Sequence, residues 1–146
     1  DAVEAAKLIR ETSWEFNRKE EYIKGGALKY FQLYNKSKKD LIINFNRTPI
    51  FFVAISDNKL IGLIRGNKSR IVNFFVYKKY HKKGIGHLLI KKFESECKKQ
   101  KSKIIKVRAS LYAIPIYQKF GYKKTTGIRK FSKIGLFIQP MQKVLL

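Results

Sequence analysis

Gly84 and Gly86 close a run of cations formed by Lys78, Lys79, Lys82 and Lys83, with His81 and His87 to either side. Residues of this type at this spacing suit a phosphate. The first turn of a helix leaves backbone N–H groups without an intrahelical partner and carries the positive end of the macrodipole. Glycine lets a ligand come close to those amides. The two commonest nucleotide fingerprints are not met. No Lys-Ser/Thr pair follows the glycines, and Leu89 stands where G-x-G-x-x-G needs its last glycine. A glycine-softened helix start with no ligand fits the same residues. Histidine can exchange protons near neutral pH, but His81 and His87 fall on the phosphate side of this construction. Cys97 shares a helical face with Ile85, Leu89 and Phe93, which makes it a packing thiol.

The elements that must position these residues follow from periodicity. Asp1 with Glu4 reads as a capping box opening a helix whose inward face is Ala5, Leu8, Ile9 and Thr12. Trp14 and Phe16 are expected to leave that helix beside Glu11 and Glu15. Ile23, Ala27, Tyr30, Phe31 and Tyr34 mark a second amphipathic helix, weakened near its start by Gly25 and Gly26. A short third helix is expected over 40–45. The period then changes to that of strands, over 50–55, 60–65 and Arg70–Val76. Asp57-Asn58 forms one turn and residues 66–69 the next, giving an antiparallel meander.

After the basic turn a helix is predicted over 84–99, with Ile85, Leu88, Leu89, Phe93 and Cys97 inward. A strand over 103–108 should lie parallel to Arg70–Val76, since strand, helix, strand is a crossover unit. A helix over 112–120 ends at Gly121, and strands over 122–129 and 134–144 complete the chain. This is an α/β (α+β) pattern in one domain, 1–146, without repeats or a dividing linker.

Composition narrows the partners. Lys+Arg 33 against Asp+Glu 10 gives a formal net charge of +23, a field that attracts polyanions. The lysines are scattered through the chain, which fits a basic residue usage spread over the whole surface. Binding to nucleic acid is therefore expected to be weak and non-specific at most. The lone cysteine forbids an internal disulfide and points to a reducing, cytoplasmic setting. The apolar runs 41–43 and 50–55 are too short to span a bilayer, and no membrane partner is expected.

A second motif decides between these openings. Ser110-Leu-Tyr-Ala-Ile-Pro-Ile-Tyr-Gln-Lys-Phe-Gly-Tyr122 resembles the N-x-x-A-x-x-F-Y-x-K-x-G-F segment of the GNAT superfamily of N-acetyltransferases. Ala113, Tyr117, Lys119 and Gly121 match, Ser110 stands for the Asn and Tyr122 for the Phe. In the same light His81-Lys-Lys-Gly-Ile-Gly86 looks like that family's acyl-CoA pyrophosphate loop, Q/R-x-x-G-x-G/A, with His81 departing from Gln or Arg. The resemblance implies a mixed, mostly antiparallel central sheet with a splayed parallel strand pair and flanking helices. Members usually begin with a strand. Here Asp1 already starts a helix, so either residues precede Asp1 or this member does without that strand.

The resemblance further implies transfer of an acetyl group from acetyl-CoA, with no metal, to a primary amine on a small molecule, peptide or protein. Backbone groups of Phe74, Phe75 and Val76 would pair with the pantetheine arm, and an N–H near Val76 would face the oxyanion. Pyrophosphate would lie on the loop formed by His81, Lys82, Lys83, Gly84, Ile85, Gly86 and His87. Tyr117 would give a proton to the departing thiolate; as an isolated tyrosine it would read as core. Ser110 would touch the CoA arm, or cap the helix after it.

The general base is open, because Arg70–Val76 holds no carboxylate. Asn73 could orient a water, and Glu11 and Glu15 are candidates beside their reading as solvated charges. Trp14, Glu15 and Phe16 could wall the acceptor side, or the two aromatics could staple helices to the sheet. The competing functions are a catalytically silent acyl-CoA-binding module and a basic nucleic-acid-binding protein. The protein is expected as a monomer or homodimer.

Overall fold

The structure, a computed structural model, describes residues 1–19, 24–131 and 135–146. Helix α1 spans Ala2–Lys19 and is capped by Asp1, whose Oδ1 accepts from the Val3 N–H at 2.7 Å. Ala5, Leu8, Ile9 and Thr12 form its buried face as expected. Trp14 and Phe16 do not leave the helix; α1 continues past them to Lys19. Packing outweighs the modest propensity of aromatic residues here, because the buried face itself continues through Ser13 and Asn17.

Helix α2 (Gly26–Leu33) starts behind Gly25, whose φ of 75° is a left-handed conformation that glycine adopts without strain. Ala27, Tyr30 and Tyr34 are buried; Ile23, assigned to this helix from sequence, lies outside the described residues. Helix α3 (Lys38–Phe45) begins two residues earlier than predicted, because the Ser37 hydroxyl caps it by accepting from the Asp40 N–H at 3.2 Å.

The meander is β1 (Ile50–Ser56), β2 (Lys59–Asn67) and β3 (Arg70–Val76), all antiparallel. Asp57 and Asn58 both have positive φ, the conformation that a two-residue hairpin turn requires. The second turn is tighter than expected. Gly66 and Asn67 belong to β2, and the Asn67 side chain closes the turn by accepting from Ser69 N and Oγ at 2.9 and 3.0 Å.

A single-turn helix over Lys78–Tyr80 leads to α4 (Ile85–Lys99), which crosses over to β4 (Ile104–Ser110), parallel to β3. The buried face of α4 is Leu89, Ile90, Phe93, Glu94 and Cys97. Leu88, predicted inward, is 69% exposed; the stripe lies one residue further round the helix. Glu94 is buried because its carboxylate accepts from Tyr122 Oη at 2.9 Å and Lys143 Nζ at 3.1 Å.

A turn over Leu111–Ala113 precedes α5 (Ile114–Lys119). The strand expected over 122–129 is divided into β5 (Lys123–Lys124) and β6 (Arg129–Phe131), both pairing with β7 (Leu136–Val144). Pro140 of β7 has no N–H for the ladder. In the gap the Gln139 side chain donates to the Thr126 carbonyl at 2.6 Å. Ile134, taken as the start of the last strand, lies outside the described residues.

The sheet order is β1-β2-β3-β4-β7-β5, with β6 also on β7. One face carries α4, α5 and a core of Ile64, Ile71, Phe93 and Ile105. The other carries α1, α2 and α3 over Leu60 and Leu63. This is the mixed, mostly antiparallel sheet with flanking helices expected from sequence. No described helix is long and apolar enough to cross a membrane.

Candidate functional site

The site lies where the parallel pair parts. β3 and β4 are in register only at Arg70↔Lys106 and Ile71↔Val107. A bulge sets this limit: against β2, Arg65 faces Asn73 and Gly66 faces Ile71, so Val72 is the extra residue on β3. A bulge bends and further twists its strand, and from Asn73 onward β3 diverges from β4.

Two cavities occupy the gap. The larger, about 510 Å³, is lined by Phe74, Phe75 and Val76 of β3, by His81, Lys82, Gly84, Gly86 and His87, and by Phe16 and Thr12 of α1. The smaller, about 180 Å³, reaches toward α2 and the β6–β7 hairpin, with Asn73 and Ser110 among its lining residues. Phe74, Phe75, Tyr112, Ala113 and Tyr117 wall both. Tyr117 therefore stands between them.

Gly84 (φ 81°) caps α4, and Lys82, two residues before it, is also left-handed. A Cβ on Gly86 would meet nothing nearer than Phe74 at 3.5 Å. His81 turns away from the loop: its Nε2 lies 2.7 Å from the Val76 carbonyl and its ring stacks on Phe16 at 5.7 Å. Phe16 in turn stacks on Tyr112 at 4.7 Å, so three rings fence the larger cavity.

Tyr117 is buried and edge-on to Tyr122 at 5.6 Å. Burial, and then the nearby Tyr112, push its phenol well above the ordinary tyrosine value. The Thr12 hydroxyl, in the wall of the larger cavity, is the one buried side-chain oxygen among the described residues that lacks a hydrogen-bond partner.

Other predicted residues do not line the larger cavity. Lys83 holds its ammonium 5.6 Å over the Tyr80 ring, and Ile85 packs toward the α4 core. Trp14 and Glu15 line neither cavity. Trp14 meets Phe31 of α2 edge-on at 6.0 Å, and Glu15 pairs with Lys78 at 3.7 Å. Glu11 pairs with Lys7 at 3.9 Å on the exposed side of α1. Asn73 is committed to a buried polar cluster. Its Oδ1 accepts from Arg65 Nε at 2.6 Å and Tyr34 Oη at 3.2 Å, while its Nδ2 donates to Tyr30 Oη at 3.1 Å.

A family model described as the acetyltransferase (GNAT) domain matches residues 25–145. The chain belongs to the GNAT acetyltransferase family. Among solved structures, a GCN5-related N-acetyltransferase from Rhodopseudomonas palustris superposes with a TM-score of 0.85 at 18% identity, covering 99% of this chain and 90% of that one. The PaiA N-acetyltransferase from Thermoplasma acidophilum, in complex with coenzyme A, gives 0.72 at 17% identity over 99% and 93%. A putative streptothricin acetyltransferase from Bacillus anthracis, in complex with acetyl coenzyme A, gives 0.61 at 22% over 75% and 72%. No curated protein sequence matches.

The GNAT motifs led to the loop and to Tyr117 but not to Thr12, Tyr112 or Arg65. Arg65 carried a visible sign, a guanidinium at the end of the apolar run Leu60-Ile-Gly-Leu-Ile. It is 1% exposed and lies 4.7 Å over the Phe45 ring, and no described carboxylate pairs with it.

Proposed function

We propose that this chain is an acetyl-CoA-dependent N-acetyltransferase acting on a primary amine. The observation that carries the reading is the meeting of two cavities at Tyr117, in the gap opened by the β3 bulge. The larger has the features a CoA arm needs: a strand edge at Phe74, Phe75 and Val76 that β4 does not pair, with only the Val76 carbonyl met by His81, a glycine-lined helix start, and nearby lysines. The partnerless Thr12 hydroxyl would gain a hydrogen bond from a polar arm laid there. Acetyl-CoA would supply the activated acetyl group. The smaller cavity would admit the amine from the opposite side, so that it meets the acetyl group beside the Tyr117 hydroxyl.

Gly86→Asp tests the loop. The side chain has room, so the fold should survive, while its carboxylate would repel pyrophosphate from the amides. Calorimetry should show acetyl-CoA binding by the wild type and none by the variant. Unchanged affinity in a folded variant would remove this loop from the site.

A second reading, a silent acyl-CoA-binding module, is favoured by one observation. The described residues lining the two cavities include no Asp or Glu. Tight acetyl-CoA binding with no transfer to any of a broad set of amines would select it.

A further inference from the structure

The smaller cavity has a chemical character of its own. Arg70 opens β3 and Arg108 lies in β4, and both line it. They share a sheet face, because the neighbouring Ile71 and Val107 turn into the opposite core beneath α4. Neither guanidinium pairs with a carboxylate of the described residues. Arg108 rests 4.9 Å over the Phe131 ring. Arg70 is half-buried, and its proton is held less firmly than usual because of that burial and the charge of Arg108 beside it. Deeper in the same layer, buried Arg65 donates to Tyr34 Oη at 3.3 Å, and Tyr34 also lines the cavity. Two guanidinium groups thus line one small space, with a third one hydrogen bond behind its wall.

We propose that this cavity receives a small amine whose other end is an anion, a carboxylate or a phosphate, held by Arg70 and Arg108. The inference rests on the reading that the chain acetylates an amine there. Planar guanidinium groups match either anion in paired, charge-assisted hydrogen bonds. An acceptor with a second ammonium would instead place like charges side by side, which discriminates against polyamines. At about 180 Å³ the cavity is well below the size that larger ligands fill, so the acceptor is small. The anion would sit toward β4, leaving the amine to point at Tyr117 on the shared wall.

Calorimetry on the full chain saturated with CoA tests this, using β-alanine, phosphoethanolamine, ethanolamine and spermidine as titrants. β-Alanine or phosphoethanolamine should bind at least about tenfold more tightly than ethanolamine or spermidine, and the better of the two identifies the anion. Arg70→Gln and Arg108→Gln should each weaken that binding by about tenfold to a hundredfold, the scale of a lost charge-assisted hydrogen bond, with CoA affinity unchanged. Equal binding of ethanolamine or spermidine, binding of neither anion, or wild-type affinity in both variants would overturn the proposal. A failure of the acetyltransferase reading shows separately, as absent acetyl transfer to whichever amine binds.

Discussion

At the scale of single residues, Tyr117 carries the sharpest test. The low-dielectric surroundings that raise its phenol would also raise the basicity of a thiolate expelled beside it, so donor and acceptor are shifted in the same direction. Tyr117→Phe keeps the ring and its contacts with Tyr122 and Phe74. Turnover should fall by about a hundredfold to ten-thousandfold, the usual range for a general acid, with acetyl-CoA affinity preserved. The fall should shrink for a thioester with a more acidic leaving thiol. Wild-type turnover where chemistry limits the rate would return Tyr117 to the core. Periodicity alone could not have found this residue, because a buried tyrosine beside Ile114 and Ile116 looks like packing; the motif spacing singled it out. The parts played by Thr12 and Arg65 were hidden for another reason, even though a guanidinium ending an apolar run marked Arg65 as unusual. Their importance lies in partners that are missing or distant in sequence, and only folding brings Arg65 to Asn44, Thr48 and Asn73.

At the scale of elements, the parting of β3 from β4 depends on the approach of β2 to the start of β3. A Cβ on Gly66 would collide with the Arg70 carbonyl oxygen and would meet Phe93 Cζ at 3.0 Å. Backbone cannot yield as a side-chain tip can, so Gly66→Ala must displace the strand that sets the bulge. A loss of about 3 kcal/mol or more in urea denaturation is expected, at the upper end of overpacking costs. Gly127→Ala, where nothing lies within 4 Å, should change stability by no more than about 0.5 kcal/mol. Equal midpoints for the two variants would show that the close approach is not a constraint.

Strand and helix identities were legible because β3 is an apolar, β-branched and aromatic run and α4 and β4 carry clear periods. The bulge was not, since Val72 is one more apolar residue of that run until its partner on β2 is known. The ends failed where tertiary contacts overrode local cues: at Trp14, which packs on α2, and between β5 and β6, where Pro140 interrupts the ladder.

At the scale of the whole molecule, the charge of +23 is distributed over the surface. Exposed lysines occur on α3 (Lys38, Lys39), on α4 (Lys91, Lys92, Lys98, Lys99), on β5 (Lys123, Lys124) and at the loop (Lys82, Lys83), which places them on both layers flanking the sheet. Such a spread of cations suits attraction of a polyanion by charge alone. Binding of such a surface to duplex DNA would come from phosphate neutralisation and counterion release. Fluorescence anisotropy with two unrelated duplexes should give matching affinities at low salt. Both should weaken by orders of magnitude between about 50 and 200 mM salt, as expected when several phosphates are contacted. Acetyl-CoA binding should weaken far less over the same interval, because in the proposed site its pyrophosphate would meet fixed amides and neutralise fewer charges. An affinity for one duplex that survives the higher salt and is lost when its sequence is scrambled would make nucleic acid a specific partner, and the spread of lysines would then need a different explanation.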